Sequence, residues 1–202
     1  CQKFLDSVPS ELVPILKDVK LSGDMHTRFT AIYDRKNKEK SNFKIEDYLF
    51  KCKFTNVSEN LQTQRYKKIF DHVIYSKSGQ RQTVKMGPGT SNWFPLSVMS
   101  SFVQRSVTTC EDPYFEVHTP VLPIALENSI KENLRTGKFM RGGSTISMQL
   151  AKNLWLDRSK NLSRKLQELF LAYWLEQSMS KEEILELYLN IIEFGPDTYG
   201  IK

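Results

Sequence analysis

The chain contains few residues that could form disulfides or a metal site: three cysteines and three histidines among 202 residues. The cysteines, Cys1, Cys52 and Cys110, are odd in number and lack the short paired spacing of a zinc site. We therefore expect neither a disulfide framework nor a zinc centre. We expect Cys110 to be a buried thiol, because unpaired cysteines usually pack as small apolar side chains.

Long apolar stretches are also missing. No run of about 18 apolar residues occurs, so the sequence predicts no membrane-spanning helix. The opening residues, CQKFLDSVPSELVP, lack the apolar centre of a signal peptide. There is no internal repeat, and strands do not alternate with helices. A doubly wound α/β fold is therefore disfavoured.

An excess of basic residues gives the chain a net charge of +6 and a pI of about 9.1. Such a charge favours anionic partners, namely phosphates, nucleic acid or lipid head groups, although a merely basic surface would give the same numbers. Aromatic residues do not interleave with a basic stripe, and no nucleic-acid-binding motif is present. We therefore expect no nucleic acid among the partners.

The two halves of the chain differ in their residue patterns, which predicts an α+β fold with two domains. Residues 1–90 read as a β-rich accessory module, because apolar and polar residues alternate over 21–33 and 50–54, and a hairpin is expected to turn at Ser78 and Gly79. The breaker-rich stretch GPGTSNWFP, residues 87–95, marks the boundary. Residues 91–202 then read as helical, with helices at about 96–108, 122–136, 144–155, 163–178 and 181–193.

A narrow polar stripe follows the predicted helix 144–155. With 100° per residue, Thr145, Gln149 and Lys152 fall within an arc of about 60° on an otherwise apolar helix. Gly142 and Gly143 precede the first turn, where free N–H groups bind anions well. A phosphate-bearing ligand fits these features. The alternative is an ordinary polar stripe that faces water.

Two further stretches contain acids that are candidates for chemistry. Arg164 and Glu168 lie one turn apart on a helix that is apolar nearly all round; they form either a functional pair or a weak structural ion pair. Glu111 and Asp112 precede Pro113, which keeps Asp112 out of a helix. We therefore expect Glu111 to be presented from a loop. Cover by the aromatic rings of Tyr114 and Phe115 would shield it from water.

Together these stretches resemble the peptidoglycan glycosyltransferases of glycosyltransferase family 51, found in class A penicillin-binding proteins and monofunctional transglycosylases. The resemblance covers about residues 108–202 and consists of four motifs in family order. The motif E-D-x-x-F-x-x-H is matched by Glu111, Asp112, Phe115 and His118; G-G-S-T-x-T-Q-Q-L-x-K-N by Gly142, Gly143, Ser144, Thr145, Gln149, Leu150, Lys152 and Asn153; R-K-x-x-E by Arg164, Lys165 and Glu168; and S-K-x-x-I-L-x-x-Y-L-N by Ser180, Lys181, Ile184, Leu185, Tyr188, Leu189 and Asn190. Ser147 and Met148 depart from the usual Thr-Gln, and Thr119-Pro120 from the usual residue-Gly.

The resemblance implies a mostly α-helical, lysozyme-like transglycosylase domain, of which the chain carries the N-terminal part. It implies that lipid II is polymerised into glycan strands at the periplasmic face of the inner membrane, with the membrane surface and cell-wall synthesis proteins as partners. Glu111 would be the general base, and Glu168 with Lys152 and Arg164 would form the diphosphate site, with Mg²⁺ or Mn²⁺ near Glu168 as the expected cofactor. The remaining substrate-binding candidates are Asp112, Phe115, His118, Ser144, Thr145, Gln149 and Asn153, among which Asp112 and His118 are expected mainly to hold the loop.

The sequence is also compatible with two other functions. A lytic enzyme of lysozyme-like fold also uses a lone glutamate in a helical cleft, but it does not need the cations Lys152 and Arg164. A non-catalytic envelope module would bind lipid through its β-rich half, which faintly resembles the β-repeats of AsmA-like envelope proteins. The presence of both Glu111 and Glu168 argues against that third possibility.

Overall fold

The computed structural model describes residues 1–75, 80–137, 143–157, 161–195 and 198–201. Six α-helices and three small antiparallel sheets of two strands each make up its regular structure, so the predicted α+β class is confirmed. The helices are α1 (Gln2–Ser7), α2 (Ser101–Glu111), α3 (Pro123–Thr136), α4 (Ile146–Trp155), α5 (Leu162–Ser178) and α6 (Lys181–Ile191); the strands are β1 (Lys20–Ile32), β2 (Asn42–Asn56), β3 (Phe70–Tyr75), β4 (Arg81–Met86), β5 (Glu193–Gly195) and β6 (Thr198–Tyr199).

A long hairpin of β1 and β2 occupies the first part of the chain. The strands pair from Lys20 opposite Asn56 to Ile32 opposite Asn42, with a bulge after Arg28. The predicted strand over residues 21–33 is present, but it is not half-buried as expected. Only Leu21 of β1 is buried, because β2 rather than β1 packs against α3 and α5.

Strand β2 contacts both α3 and α5, and side chains of these helices bind its backbone. The N–H of Ile45 donates to Glu127 Oε2 of α3 at 2.7 Å, and the N–H of Phe54 donates to Gln177 Oε1 of α5 at 2.9 Å. The ring of Phe50 stacks on Tyr173 with centroids 3.6 Å apart. The hairpin is thus attached to two helices that are far apart in sequence.

The prediction that Cys110 is buried is wrong, and one disulfide is present that the cysteine pattern did not predict. Cys1 and Cys52 form a disulfide that joins the N-terminal helix to β2, and Cys110 is exposed near the end of α2. The odd count hid this single pair, because its members are 51 residues apart and are brought together only by the hairpin. Cys110 is exposed because α2 has no buried residue.

The helical half follows the predicted boundaries closely. Helix α2 is the exception: it begins at Ser101, after a short 3₁₀ turn at Leu96–Val98, because Ser100 caps it by accepting the N–H of Phe102. A capping box of Ser180 and Glu183 starts α6.

The deepest part of the core lies in α4, α5 and α6, and one cluster of buried apolar residues extends from there into residues 1–90. The division into domains at residue 90 stays a prediction. Among the described residues, no helix has the length and apolar character needed to cross a membrane. The predicted turn at Ser78 and Gly79 lies outside the described residues.

Candidate functional site

A cavity of about 770 Å³ lies between α3, α4 and α5 and is closed on one side by β5 and β6. Helix α4 contributes Gln149, Lys152 and Asn153 to its wall. Helix α5 contributes Arg164, Lys165 and Glu168, and Ser144 lies just before α4. Six of the eleven predicted site residues therefore line this one cavity: Ser144, Gln149, Lys152, Asn153, Arg164 and Glu168.

Glu168 is the buried acid of the cavity, at 2% exposure. Its Oε1 lies 2.7 Å from Arg164 Nη1, an ion pair without the alignment of a hydrogen bond, and its Oε2 accepts from Lys165 Nζ at 2.8 Å. Lys165 also donates to the hydroxyl of Ser144, which ties α5 to the start of α4. Two cations therefore flank the side chain of Glu168.

Lys165 was not among the predicted site residues, although the sequence contained a signal for it. It lies three residues before Glu168 on α5, so the two side chains face the same side of the helix. The spacing R-K-x-x-E places both cations within reach of one carboxylate.

The described residues of the cavity wall carry no net positive charge. Lys152, Arg164 and Lys165 are balanced in number by Glu168, Asp157 and Glu193, which also line it. An anion would therefore bind through particular groups and not through the overall charge of the wall. These groups are Arg164 and Lys165 beside Glu168, and the side-chain amides on α4. The acids do not converge, and the described residues contain no cluster of three or more acidic, histidine or cysteine side chains suited to a metal ion.

Thr145 does not belong to the polar stripe that the sequence predicted. It is the N-cap of α4 and is buried, accepting the N–H of Met148 at 3.3 Å and donating to the carbonyl of Pro120 at 2.6 Å. Helix α4 begins two residues later than predicted. Thr145 is therefore the N-cap of the helix and not a residue of the cavity wall. The stripe in the cavity is Gln149, Lys152 and Asn153.

Gly143 brings the start of α4 close to α3. A Cβ at this position would lie 2.8 Å from the carbonyl oxygen of Ala125, so any side chain would push the two helices apart. The glycine thus serves packing at the edge of the cavity as well as any opening for a ligand. Gly142 lies outside the described residues.

Glu111 is the last residue of α2 and is exposed. The prediction that a loop presents Glu111 is wrong by one residue, because α2 still includes Glu111. The backbone leaves helical geometry only at Asp112, whose ψ is 78°, before Pro113. The predicted cover is also absent, because Tyr114 is 58% exposed and Phe115 is turned into the core. Glu111 is open to water and to a reactant.

Gln149 joins Glu111 to the cavity. Its Nε2 donates to Glu111 Oε2 at 2.8 Å, and its Oε1 accepts from the hydroxyl of Tyr188 at 3.1 Å. Glu111 itself does not line the cavity, whereas Gln149 does. Burial, together with the charges of Glu111 and Asp112, raises the pKa of Tyr188, so its hydroxyl remains a donor. Tyr188 was named only as a motif position and not as a site residue.

Three other predicted residues, Asp112, Phe115 and His118, lie behind the cavity rather than on its wall. Asp112 accepts from His118 Nε2 at 2.6 Å and from the backbone N–H of Ile146 at 3.0 Å. Phe115 is 1% exposed, and Lys181 Nζ lies 4.6 Å from its ring centroid. Their contacts hold the segment after α2 in place. This is the role expected from the sequence for Asp112 and His118.

These features define a class: an α+β protein with a polar cleft, in which an exposed carboxylate and a buried, cation-flanked carboxylate are joined through one helix. Comparison with known proteins gives the family. The model of the Transglycosylase family matches residues 79–202, and the chain belongs to that family. The match begins twelve residues before the predicted boundary at residue 91, and it confirms the family that the four motifs indicated.

Several relatives carry related names. The biosynthetic peptidoglycan transglycosylase of Nitrosospira multiformis is 43% identical over 112 residues, 55% of this chain and 49% of the relative. A protein of the same name from Alcanivorax borkumensis is 38% identical over 131 residues, 65% of this chain and 54% of the relative. Penicillin-binding protein 1A/1B of Bacillus subtilis is 34% identical over 142 residues, 70% of this chain and 15% of the relative. The chain spans about half the length of the transglycosylases that it matches.

Proposed function

We propose that the protein carrying this chain is a peptidoglycan glycosyltransferase that polymerises lipid II into glycan strands. The observation that carries the proposal is the link from exposed Glu111 through Gln149 to a cavity in which Arg164 and Lys165 flank Glu168. This arrangement offers a proton acceptor and a diphosphate site joined by one side chain. The names of the relatives support the same activity.

The proposed reaction begins with the 4-hydroxyl of the acceptor sugar. Glu111 accepts its proton, the oxygen attacks C1 of the lipid-diphosphate-linked donor, and the C1–O bond to phosphate breaks. The diphosphate leaves with the bonding electron pair. A carboxylate that is already exposed can receive the proton directly from a bound hydroxyl, and a positioned base of this kind contributes about 10²- to 10⁴-fold in rate.

The leaving diphosphate needs compensation for its charge, and the α4–α5 wall supplies it. Lys152, Arg164 and Lys165 are aimed into the cavity from two packed helices, so their charges need little reorganisation during the reaction. In the proposal, Glu168 holds Arg164 and Lys165 in place. Ser144, Gln149 and Asn153 supply hydrogen bonds to sugar or phosphate oxygens.

The predicted Mg²⁺ or Mn²⁺ near Glu168 does not fit the described residues as a resident ion. Both carboxylate oxygens of Glu168 face cations, and the described residues of the cavity wall contain no converging acids to replace them. We therefore derive no step through a metal ion. Polymerisation with and without a divalent cation and a chelator measures whether one is required.

We also propose that the protein works in the bacterial cell envelope, at the periplasmic face of the inner membrane. The Cys1–Cys52 disulfide supports this location, because disulfides persist in oxidising compartments. The substrate and the nascent glycan chain would be reached at the membrane surface, where other cell-wall synthesis proteins are the expected neighbours. Disulfide content of the protein isolated from its native host under thiol-blocking conditions tests the compartment.

The test of the function is lipid II polymerisation by the full-length protein. Wild type is expected to form long glycan strands, and Glu111→Gln is expected to polymerise about 10³-fold more slowly while still binding the lipid. A matched control is Glu116→Gln, the same change at an exposed acid of the same segment. Release of muropeptides from finished cell wall by wild type, without polymer, would instead favour the lytic enzyme. Lipid binding without either activity would favour the non-catalytic module.

A further inference from the structure

Each ring nitrogen of His118 faces an oxygen that can only accept a hydrogen bond. Nε2 lies 2.6 Å from a carboxylate oxygen of Asp112, and Nδ1 contacts the backbone carbonyl of Thr119. A neutral imidazole carries one N–H and can satisfy only one of these acceptors, whereas the imidazolium satisfies both. We propose that His118 is held as an imidazolium and acts as a positioning residue for Glu111.

The link from His118 to Glu111 runs through Asp112 and α4. Asp112 uses one oxygen for His118 and the other for the backbone N–H of Ile146, the first residue of α4. One turn further on, Gln149 donates to Glu111. Asp112 also directly follows Glu111 at the end of α2. The imidazolium thus fixes the ends of the two helices that meet at Glu111.

The surrounding charges are compatible with a buried cation. Asp112 faces His118 from the end of α2, and Lys181 faces it from α6, donating to the His118 carbonyl at 3.2 Å. Lys181 is in turn paired with Glu176 of α5 at 2.8 Å, and Glu176 also accepts from Ser147 of α4. Two cations and two carboxylates therefore close a neutral network behind the cleft.

The direction of the pKa shift agrees with this geometry. Burial alone would lower the pKa of His118, but the hydrogen bonds to Asp112 and Thr119 and the charge of Asp112 leave it above the ordinary 6.5. The stabilisation is fully present below 6.5 and is lost as pH rises through the raised value. His72 behaves oppositely, since burial lowers its pKa to about 4. His72 can therefore serve as an internal reference for a neutral imidazole ring.

Deprotonation of His118 would leave Asp112 or the Thr119 carbonyl facing a lone pair. The end of α2 and the start of α4 would then lose a common anchor, and Gln149 would hold Glu111 less firmly. This consequence rests on the proposed function, in which Glu111 is the base. We therefore expect an alkaline loss of polymerisation with the midpoint of His118.

The direct test is NMR of the full-length protein labelled with ¹⁵N at histidine and glutamine. At pH 6.5 both ring nitrogens of His118 are expected to be protonated, while His72 is a neutral ring. The side-chain amide signal of Gln149 is expected to move with the same alkaline midpoint as His118. An unprotonated ring nitrogen of His118 at pH 6.5 would overturn the charge. If the Gln149 amide signal does not change as His118 titrates, the positioning role is overturned.

Activity supplies the second readout. His118→Gln, which keeps one amide donor for Asp112, is expected to lower the polymerisation rate about tenfold, the usual consequence of one lost charged hydrogen bond, and to abolish the alkaline limb. His26→Gln, at an exposed histidine paired with Asp47, is expected to change neither. An alkaline limb that persists in His118→Gln would contradict the proposal. If wild type polymerises at no pH, the proposed function fails, and the NMR result still decides the His118 charge and its link to Gln149.

Discussion

The two carboxylates proposed to act in the reaction, Glu111 and Glu168, lie in opposite surroundings. Glu111 is exposed at the end of a helix and touches a single amide, whereas Glu168 is buried within a helix between two cations. A proton acceptor must be reachable by the group that gives up the proton. A carboxylate that organises charge must be held still and kept ionised. The contrast supports the different tasks proposed for two residues of identical chemistry.

The largest expected effect separates rate from stability at Glu111. Glu111→Gln should lower the polymerisation rate by about 10³-fold, the contribution of a positioned base. The same change should shift the free energy of unfolding by no more than about 0.5 kcal/mol, because an exposed side chain with one neutral partner contributes little. Initial rates with lipid II and thermal unfolding of the full-length protein measure the two quantities. If Glu111→Gln keeps more than a tenth of the wild-type polymerisation rate, Glu111 is not the proton acceptor and the proposed contrast with Glu168 fails.

The second test applies the same change to the buried carboxylate. Glu168→Gln should destabilise the domain by about 2–3 kcal/mol, below the usual range for a broken buried pair because Arg164 and Lys165 keep some exposure. The thermal midpoint of this domain measures the loss, with Glu116→Gln as the matched control. Unchanged stability would mean that the cations find other partners and that Glu168 does not organise them.

The third test addresses Gln149, which joins Glu111 to the cavity that contains Glu168. Gln149→Leu keeps a side chain of similar size but removes the donor to Glu111 and the acceptor for Tyr188. We expect kcat to fall about tenfold, as for one lost hydrogen bond to a charged group, with little change in KM. A rise in KM with kcat unchanged would show instead that Gln149 serves substrate binding at the cavity wall.

Several parts of this site follow from the sequence by local rules. The ion pair of Arg164 and Glu168 follows from helical spacing, and the capping box at Ser180 follows from residue type. The α4 stripe was correct for Gln149 and Lys152, because both lie well inside the helix. These features depend on neighbours within four residues, and such neighbours can be read directly from the chain.

The remaining features depend on where helices end and on contacts between distant segments. Thr145 was misassigned because the start of α4 moved by two residues, and a residue at a helix end changes role entirely with such a shift. The Cys1–Cys52 bond, the attachment of Ile45 to Glu127 and the buried position of Phe115 join segments that no local pattern connects. Tertiary packing determines these positions. The periodicity of a single helix carries no information about how distant segments pack.

The smallest expected effect concerns Tyr188, the outer support of the link between the two regions. Its hydroxyl fixes the orientation of the Gln149 amide, because Oε1 must face the donor while Nε2 faces Glu111. Tyr188→Phe leaves the amide able to rotate and to present oxygen to the carboxylate for part of the time. We expect less than about a threefold loss of kcat and a loss of stability of about 1 kcal/mol, the usual value of one neutral hydrogen bond. Because the raised pKa of Tyr188 keeps the hydroxyl protonated, the effect should be the same from pH 6 to pH 9. A loss above tenfold, or one that grows across this pH range, would mean that Tyr188 takes part in proton transfer and does not merely hold Gln149.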